Sequence, residues 1–206
     1  VYNYKNKKLK KNITICVNEN ILEKILWEEF KDIIIKYLNK YFTNNESDTF
    51  CYVQFGINGL IKKSFFPLSL NQFILKFNKI KNNNIELTDF TLKNESQKLL
   101  GIYNIFDSII NSYQKSKEND NIIMVFIDEK NIRFATEIDC INIVEELNES
   151  NTSIFFFCFN DDIKNQKINN VQSFLNGLIE GYFFKIKNYQ QLKEIFVNLS
   201  TMKYQT

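Results

Sequence analysis

The sequence predicts one three-layer α/β domain: a mostly parallel central sheet carrying one antiparallel hairpin strand, with helices on both faces. Three observations lead there. The short runs Ile13–Val17, Ile122–Ile127 and Thr152–Phe159 are apolar almost throughout, as strands covered on both sides must be. Between them lie longer stretches whose apolar residues recur every three or four positions, the spacing of amphipathic helices. Strands that alternate with such helices call for right-handed crossovers and hence a parallel sheet.

The elements follow in order. Residues 1–12 hold Lys5, Lys7, Lys8, Lys10 and Lys11 and few apolar side chains, which describes a solvated basic arm ahead of a folded domain over 13–201 and a short tail over 202–206. The first strand, Ile13–Val17, is expected at the sheet centre. Leu22–Phe42 is a long helix: Leu22, Ile25, Leu26, Phe30, Ile33, Ile34, Leu38 and Tyr41 form its buried face, and Glu23, Lys24, Glu28, Lys31, Asp32 and Lys36 its wet one. Thr49–Ile57 and Leu60–Phe66 are β-rich and meet at Asn58-Gly59, the pair that favours a tight type I′ turn, so an antiparallel hairpin is predicted with Pro67 ending its second arm. Leu70–Ile80 has helical spacing, 81–84 is a loop, and 85–94 carries no assignable pattern.

A helix over Glu95–Lys115 buries Leu99, Ile102, Phe106, Ile109, Ile110 and Tyr113. After a charged connector, Ile122–Ile127 gives the clearest parallel-strand signal and ends in Asp128. A helix over Thr136–Glu149, the strand Thr152–Phe159 and a helix over Asn169–Glu180 continue the alternation, with Gly181 placed as a C-terminal cap. Tyr182–Ile186 is the last strand and Tyr189–Leu199 the last helix.

Composition narrows the chemistry. The 206 residues, 44% hydrophobic and 24% charged with 20 Phe and 10 Tyr, suffice for one sizeable core and demand no second domain. The abundant Asn reads as compositional background. A net charge of +2 from 26 basic and 24 acidic side chains gives no field to draw nucleic acid, and Arg133 alone among the basic residues offers a planar bidentate fork, so no nucleic-acid partner is expected. No apolar run approaches the roughly 20 residues that span a bilayer, so no membrane insertion is expected. Cys16, Cys51, Cys140 and Cys158 form no C-x-x-C pair and read as small buried residues, which with no signal-peptide pattern gives an intracellular, cytoplasmic expectation. The chain opens on Val1, which fits a piece of a longer protein.

With no histidine, Ser-His-Asp and Cys-His nucleophile arrangements and His-ligated zinc cannot be built from this chain, and neither glycine-rich phosphate loop occurs. The adjacent Asp161-Asp162 pair reads as the solvated start of a helix. Phe155, Phe156, Phe157 and Phe159 read as core. Tyr52, Phe65 and Phe66 are candidates for a partner-facing hairpin, because apolar side chains near a sheet edge can stay exposed to receive another protein.

This order of elements, closed by GYFFKIKNYQQLKEIFVNLS, resembles the von Willebrand factor type A (vWA) domain, a Rossmann-like fold, from Ile13 to about Thr201. The resemblance implies a metal-ion-dependent adhesion site at the C-terminal end of the sheet, formed by a D-x-S-x-S loop, a Thr from a later loop and an Asp ending the fourth strand. Here the first loop reads Asn18-Glu19-Asn20-Ile21-Leu22, so Asn18 and Asn20 replace the Asp and the first Ser, and Leu22 the second. The Thr position falls near Ile102 or Tyr103. Asp128 alone matches, and its neighbours are Glu129 and Lys130, the latter a candidate ion-pair partner for it.

A degenerate site is therefore expected, with no cofactor, although Asn18, Glu19, Asn20 and Asp128 leave open weak Mg²⁺ binding. The resemblance implies a non-catalytic, metal-independent interaction or scaffold module, part of a larger protein or assembly, with protein partners. Glu19, Asn20, Asp128, Glu129 and Lys130 are its candidate contact residues beside the hairpin. The alternatives are a metal-dependent ligand-binding module with an altered cation site and, third, an α/β enzyme.

Overall fold

A computed structural model describes residues 10–21, 26–42, 46–56, 59, 61–80, 102–112, 119–128, 141–159, 171–172 and 174–202. In chain order the elements are β1 (Lys10–Asn18), a 3₁₀ turn (Glu19–Ile21), α1 (Trp27–Tyr41), β2 (Thr49–Phe55), β3 (Ile61–Leu68), α2 (Leu70–Lys79), α3 (Asn104–Ser112), β4 (Asn119–Ile127), α4 (Ile141–Glu149), β5 (Thr152–Phe159), β6 (Glu180–Ile186) and α5 (Tyr189–Met202). Residues 171–172 and 174–176 are also helical.

The six described strands form one sheet in the order β3-β2-β1-β4-β5-β6. All neighbours are parallel except the hairpin pair β2/β3. Alternate residues of β1 and β4 supply two separate cores. Ile13, Ile15, Val17, Ile122, Met124 and Phe126 pack under α1, α2 and α5. Cys16, Ile123, Val125 and Ile127 pack under α3, α4 and the helical residues near 174. This is the predicted three-layer sandwich, and β1 lies at its centre as predicted.

Aromatic side chains tie the strands together across the first core. Phe126, Phe157 and Phe184 are in register on β4, β5 and β6 and stack with centroids 4.7 and 5.4 Å apart. Phe30 of α1 meets Phe126 edge-on at 4.9 Å. Each such pair contributes about 0.5–1.5 kcal/mol beyond its buried area.

Several element boundaries differ from the sequence expectation, each for a physical reason. β1 begins at Lys10, because the backbone N–H of Lys11 donates to Asp48 Oδ1 at 2.9 Å and Lys10–Asn12 pair with Asn119–Asn121. The hairpin connection is longer than a two-residue type I′ turn: the Gly59 N–H donates to the Gly56 carbonyl at 3.1 Å, and Gly59, at φ 70°, closes the turn rather than sitting inside it. Pro67 does not end β3. It lies within this edge strand at a bulge, since Tyr52 pairs with Phe65 but Phe50 with Leu68, and an edge bulge tolerates the missing N–H.

Gly181 is not a helix cap but the second residue of β6, where a β-carbon would stand 2.8 Å from the Leu175 carbonyl. Its role is to let that strand approach the preceding helical residues. α5 runs on to Met202, three residues past the expected end. The expected helical residues 22–25, 95–101 and 136–140, together with Cys140, Arg133 and Asp161-Asp162, lie outside the described residues.

Lys31 was expected on the wet face of α1 and is instead 2% exposed. Its Nζ donates to the carbonyls of Asn78 (3.1 Å) and Ile80 (3.2 Å) and pairs with the exposed Glu28 carboxylate at 2.8 Å. Trp27 Nε1 donates to the same Ile80 carbonyl at 2.8 Å. Carbonyls at the end of α2 have no partner inside their helix, and α1 supplies the donors.

Nor are all asparagines background. Thr49 Oγ1 donates to Asn12 Oδ1 (2.7 Å), Asn12 Nδ2 to Asn121 Oδ1 (2.8 Å), and Asn121 Nδ2 to the Ser150 carbonyl (2.5 Å). This ladder ties β2, β1, β4 and the α4–β5 turn together at the N-terminal end of the sheet.

Candidate functional site

In an open parallel sheet the chain reverses its winding where neighbouring strands send their connections to opposite faces, and the crevice opens at the strands' C-terminal ends. Here that point lies between β1 and β4. Val17 pairs with Phe126, so Asn18 closes β1 directly beside the strand that ends at Ile127 and leads into Asp128. The candidate residues Asn18 and Asp128 thus lie at neighbouring strand ends beside the switch point.

Their chemistry is that of a closed structural corner. Asn18 is fully buried, and its Nδ2 donates to the Phe55 carbonyl at the end of β2, 3.3 Å away. The amide thereby links the ends of β1 and β2. Asp128 is also buried and is engaged by its surroundings. Glu19, half-buried in the 3₁₀ turn, lays its carboxylate over Gly56, with Oε1 2.9 Å from where a β-carbon would be. Ile102 and Tyr103, at the expected Thr position, are buried in the second core, and Tyr103 stacks on Phe174 at 4.4 Å.

A hard divalent cation needs about six oxygen ligands in a defined shell. The described residues do not fit one. Among them no three Asp, Glu, His or Cys side chains converge, and the residues at the expected Thr position are core side chains. Asn20 lies in the 3₁₀ turn, but its side chain is outside the described set, as are Leu22, Glu129 and Lys130 and hence the proposed Asp128–Lys130 ion pair.

The partner-facing hairpin is not found for two of its three residues. Tyr52 and Phe65 are each 1% exposed and stack on one another at 5.4 Å. Phe73 and Phe77 of α2 cover them, at 5.4 Å from Phe65 and 5.5 Å from Tyr52 respectively. An edge strand is buried when a helix packs over its face, and α2, held by its Ser69–Gln72 capping box, does so here. Burial pushes the Tyr52 phenol far above its ordinary range, with Cys16 adding to the shift. Phe66 belongs to β3, and its side chain is outside the described set. Cys16, Cys51 and Cys158 are buried, as expected of small apolar side chains.

Sequence reasoning passed over one surface feature, an open groove of roughly 380 Å³ between α1 and α5. Its signal was present as the repeated pair Lys36-Tyr37 and Lys40-Tyr41, four residues apart on one helix.

The comparisons with known proteins agree with this architecture. No family profile matches the sequence, and no curated protein matches it. Solved structures do. The VWA domain of SpRpn10 is 14% identical with a TM-score of 0.52, covering 93% of this chain and 95% of that one. Proximal thread matrix protein 1 from the mussel byssus is 11% identical with a TM-score of 0.59, covering 93% of this chain and 47% of that one. The human COPII-coat protein Sec24c is 9% identical with a TM-score of 0.58, covering 95% and 32%. This chain therefore spans about half or less of the last two. The fold is of the von Willebrand factor type A kind. Among the described residues no helix is long and apolar enough to cross a membrane.

Proposed function

We propose that this domain is a protein-interaction or scaffold module that works without a bound metal and catalyses no reaction. One observation carries the reading: in the loop after β1, where a vWA-type site has an Asp and two Ser, the chain has Asn18, Asn20 and Leu22, and among the described residues no three Asp, Glu, His or Cys side chains converge there. A neutral amide at position 18 and an alkyl side chain at position 22 supply less charge and fewer oxygens than a hard divalent cation needs. The absence of histidine and of a glycine-rich phosphate loop from the sequence supports the non-catalytic part. The structural neighbours add support for contact-making roles, since they include a coat protein and a pilus adhesin, SpaC from Lactobacillus rhamnosus GG. Loss of metal ligands on a retained fold leaves shape and surface chemistry to select a partner.

Paramagnetic relaxation tests the metal-free part directly. Mn²⁺ is titrated into the ¹⁵N-labelled domain and amide broadening is mapped. The reading expects no selective broadening at Asn18, Glu19 or Asp128. Saturable broadening confined to those amides would overturn it.

A further inference from the structure

We propose that the groove between α1 and α5 docks a short acidic segment of a partner protein that inserts one aromatic or aliphatic side chain. This goes beyond the module reading above and rests on it only in taking a protein as the occupant. The groove is far from the strand-end crevice: Tyr37 and Tyr41 lie ten and fourteen residues beyond Trp27, about 15 and 21 Å down the axis of α1. Its floor is apolar, made by Ile33, Tyr37 and Tyr41 of α1 and Phe196 and Val197 of α5. Tyr37 stacks on Phe196 at 4.5 Å and meets Tyr41 at 5.1 Å, so the floor is a connected aromatic surface. Val197 is 53% exposed there.

The rim fixes the occupant's charge. Lys36, Lys40 and Lys193 line the opening, while the whole chain carries only +2. Among the described residues no carboxylate lines the groove; Glu29 reaches Lys193 from outside it at 3.5 Å, an exposed pair worth little. Lys40 also lies over the Tyr41 ring at 5.1 Å, which holds its charge at the groove edge. Roughly 380 Å³ is near the lower end of the range of about 300–1,000 Å³ for ligand pockets, so the groove admits a side chain or two of a peptide rather than a large cofactor. Three ammonium groups around an aromatic floor complement an acidic segment with an apolar anchor.

The test is selection of short random peptides displayed on phage against the wild-type chain. Affinities are then measured by fluorescence anisotropy for wild type, for the combined Lys36→Glu, Lys40→Glu and Lys193→Glu variant, and separately for Val197→Asp. Melting curves establish that each variant is folded, and Val197→Asp serves where the triple variant does not fold. The expected result is enrichment of peptides rich in Asp and Glu with one Phe, Trp or Leu. Their binding should weaken by about tenfold or more in each folded variant and fall with added salt. Peptides without acidic bias, or binding unchanged in the variants, would overturn the groove. Peptides that lose affinity on substitution of Glu19 instead would sink the groove while leaving the interaction-module reading in place. Enrichment of nothing, or self-association abolished by Val197→Asp, also counts against it, the latter naming a second copy of the chain as the occupant.

Discussion

Replacing Lys31 with methionine isolates the device that fastens α2 to α1. Methionine keeps most of the apolar stem in its buried setting and removes the ammonium that donates to the carbonyls of Asn78 and Ile80. A hydrogen bond to a charged group contributes about 1.5–3 kcal/mol net. The two bonds do not simply add, because Ile80 retains the indole donor of Trp27 and Asn78 belongs to an exposed residue that water can reach. The expected loss is therefore about 1.5–3 kcal/mol in all, or a Tm lower by about 3–12 °C at this chain length. Trp27→Phe alone should cost less, since Lys31 still serves the Ile80 carbonyl. With both donors gone that carbonyl is orphaned, so the double variant should be worse than the sum of the singles by about 0.5–3 kcal/mol. Glu28→Gln should change stability by no more than about 0.5 kcal/mol, because the carboxylate is solvated. Urea unfolding gives all four values from midpoints at constant m. A Lys31→Met variant as stable as wild type, or strictly additive singles, would refute the shared-acceptor reasoning.

Three further outcomes follow from the same structure. Phe65→Ala should cost about 3–5 kcal/mol by chemical denaturation, as a core truncation does, whereas a partner-facing side chain would change stability by less than about 0.5 kcal/mol. Asn121→Ala breaks both the Asn12 and Ser150 links of the asparagine ladder and should cost about 1–3 kcal/mol, while a neutral result would return Asn121 to background. Burial raises the Tyr189 phenol to about 12, with the Glu29 carboxylate adding to the shift. Because the folded value lies above the unfolded one, this contribution is full below pH 10 and is lost as pH rises toward 12. Stability measured across that window should fall less steeply in Tyr189→Phe, and an identical slope would contradict the assignment.

What the sequence revealed was set by how local the deciding physics is. β4 and β5 could be read because strands buried on both faces are apolar throughout, and Thr152–Phe159 matches its expected bounds. The fate of Tyr52 and Phe65 could not, since it depends on α2, a separate element whose placement over the hairpin no local pattern encodes. Lys31 sat on a polar helix face by periodicity, and only the end of α2 arriving beside it turned that face inward. Gly181 carried a genuine signal, but close approach and helix capping both ask for glycine, and sequence does not separate them. At the candidate site the presence of Asn18 and Leu22 where the family pattern has Asp and Ser was legible. The second role of Asn18, bracing Phe55, was not, because it requires the parallel pairing of β1 with β2.

The central claim, that this vWA-type fold works without a metal, is tested most directly by thermal melting of the wild-type domain with Mg²⁺, Mn²⁺ or Ca²⁺ titrated in, repeated on Asp128→Ala. A ligand that binds only the native state must raise stability by mass action. The account predicts no saturable cation-dependent rise in Tm for either protein. A saturable rise in the wild type that disappears in Asp128→Ala would contradict it and place a working cation site at the end of β4.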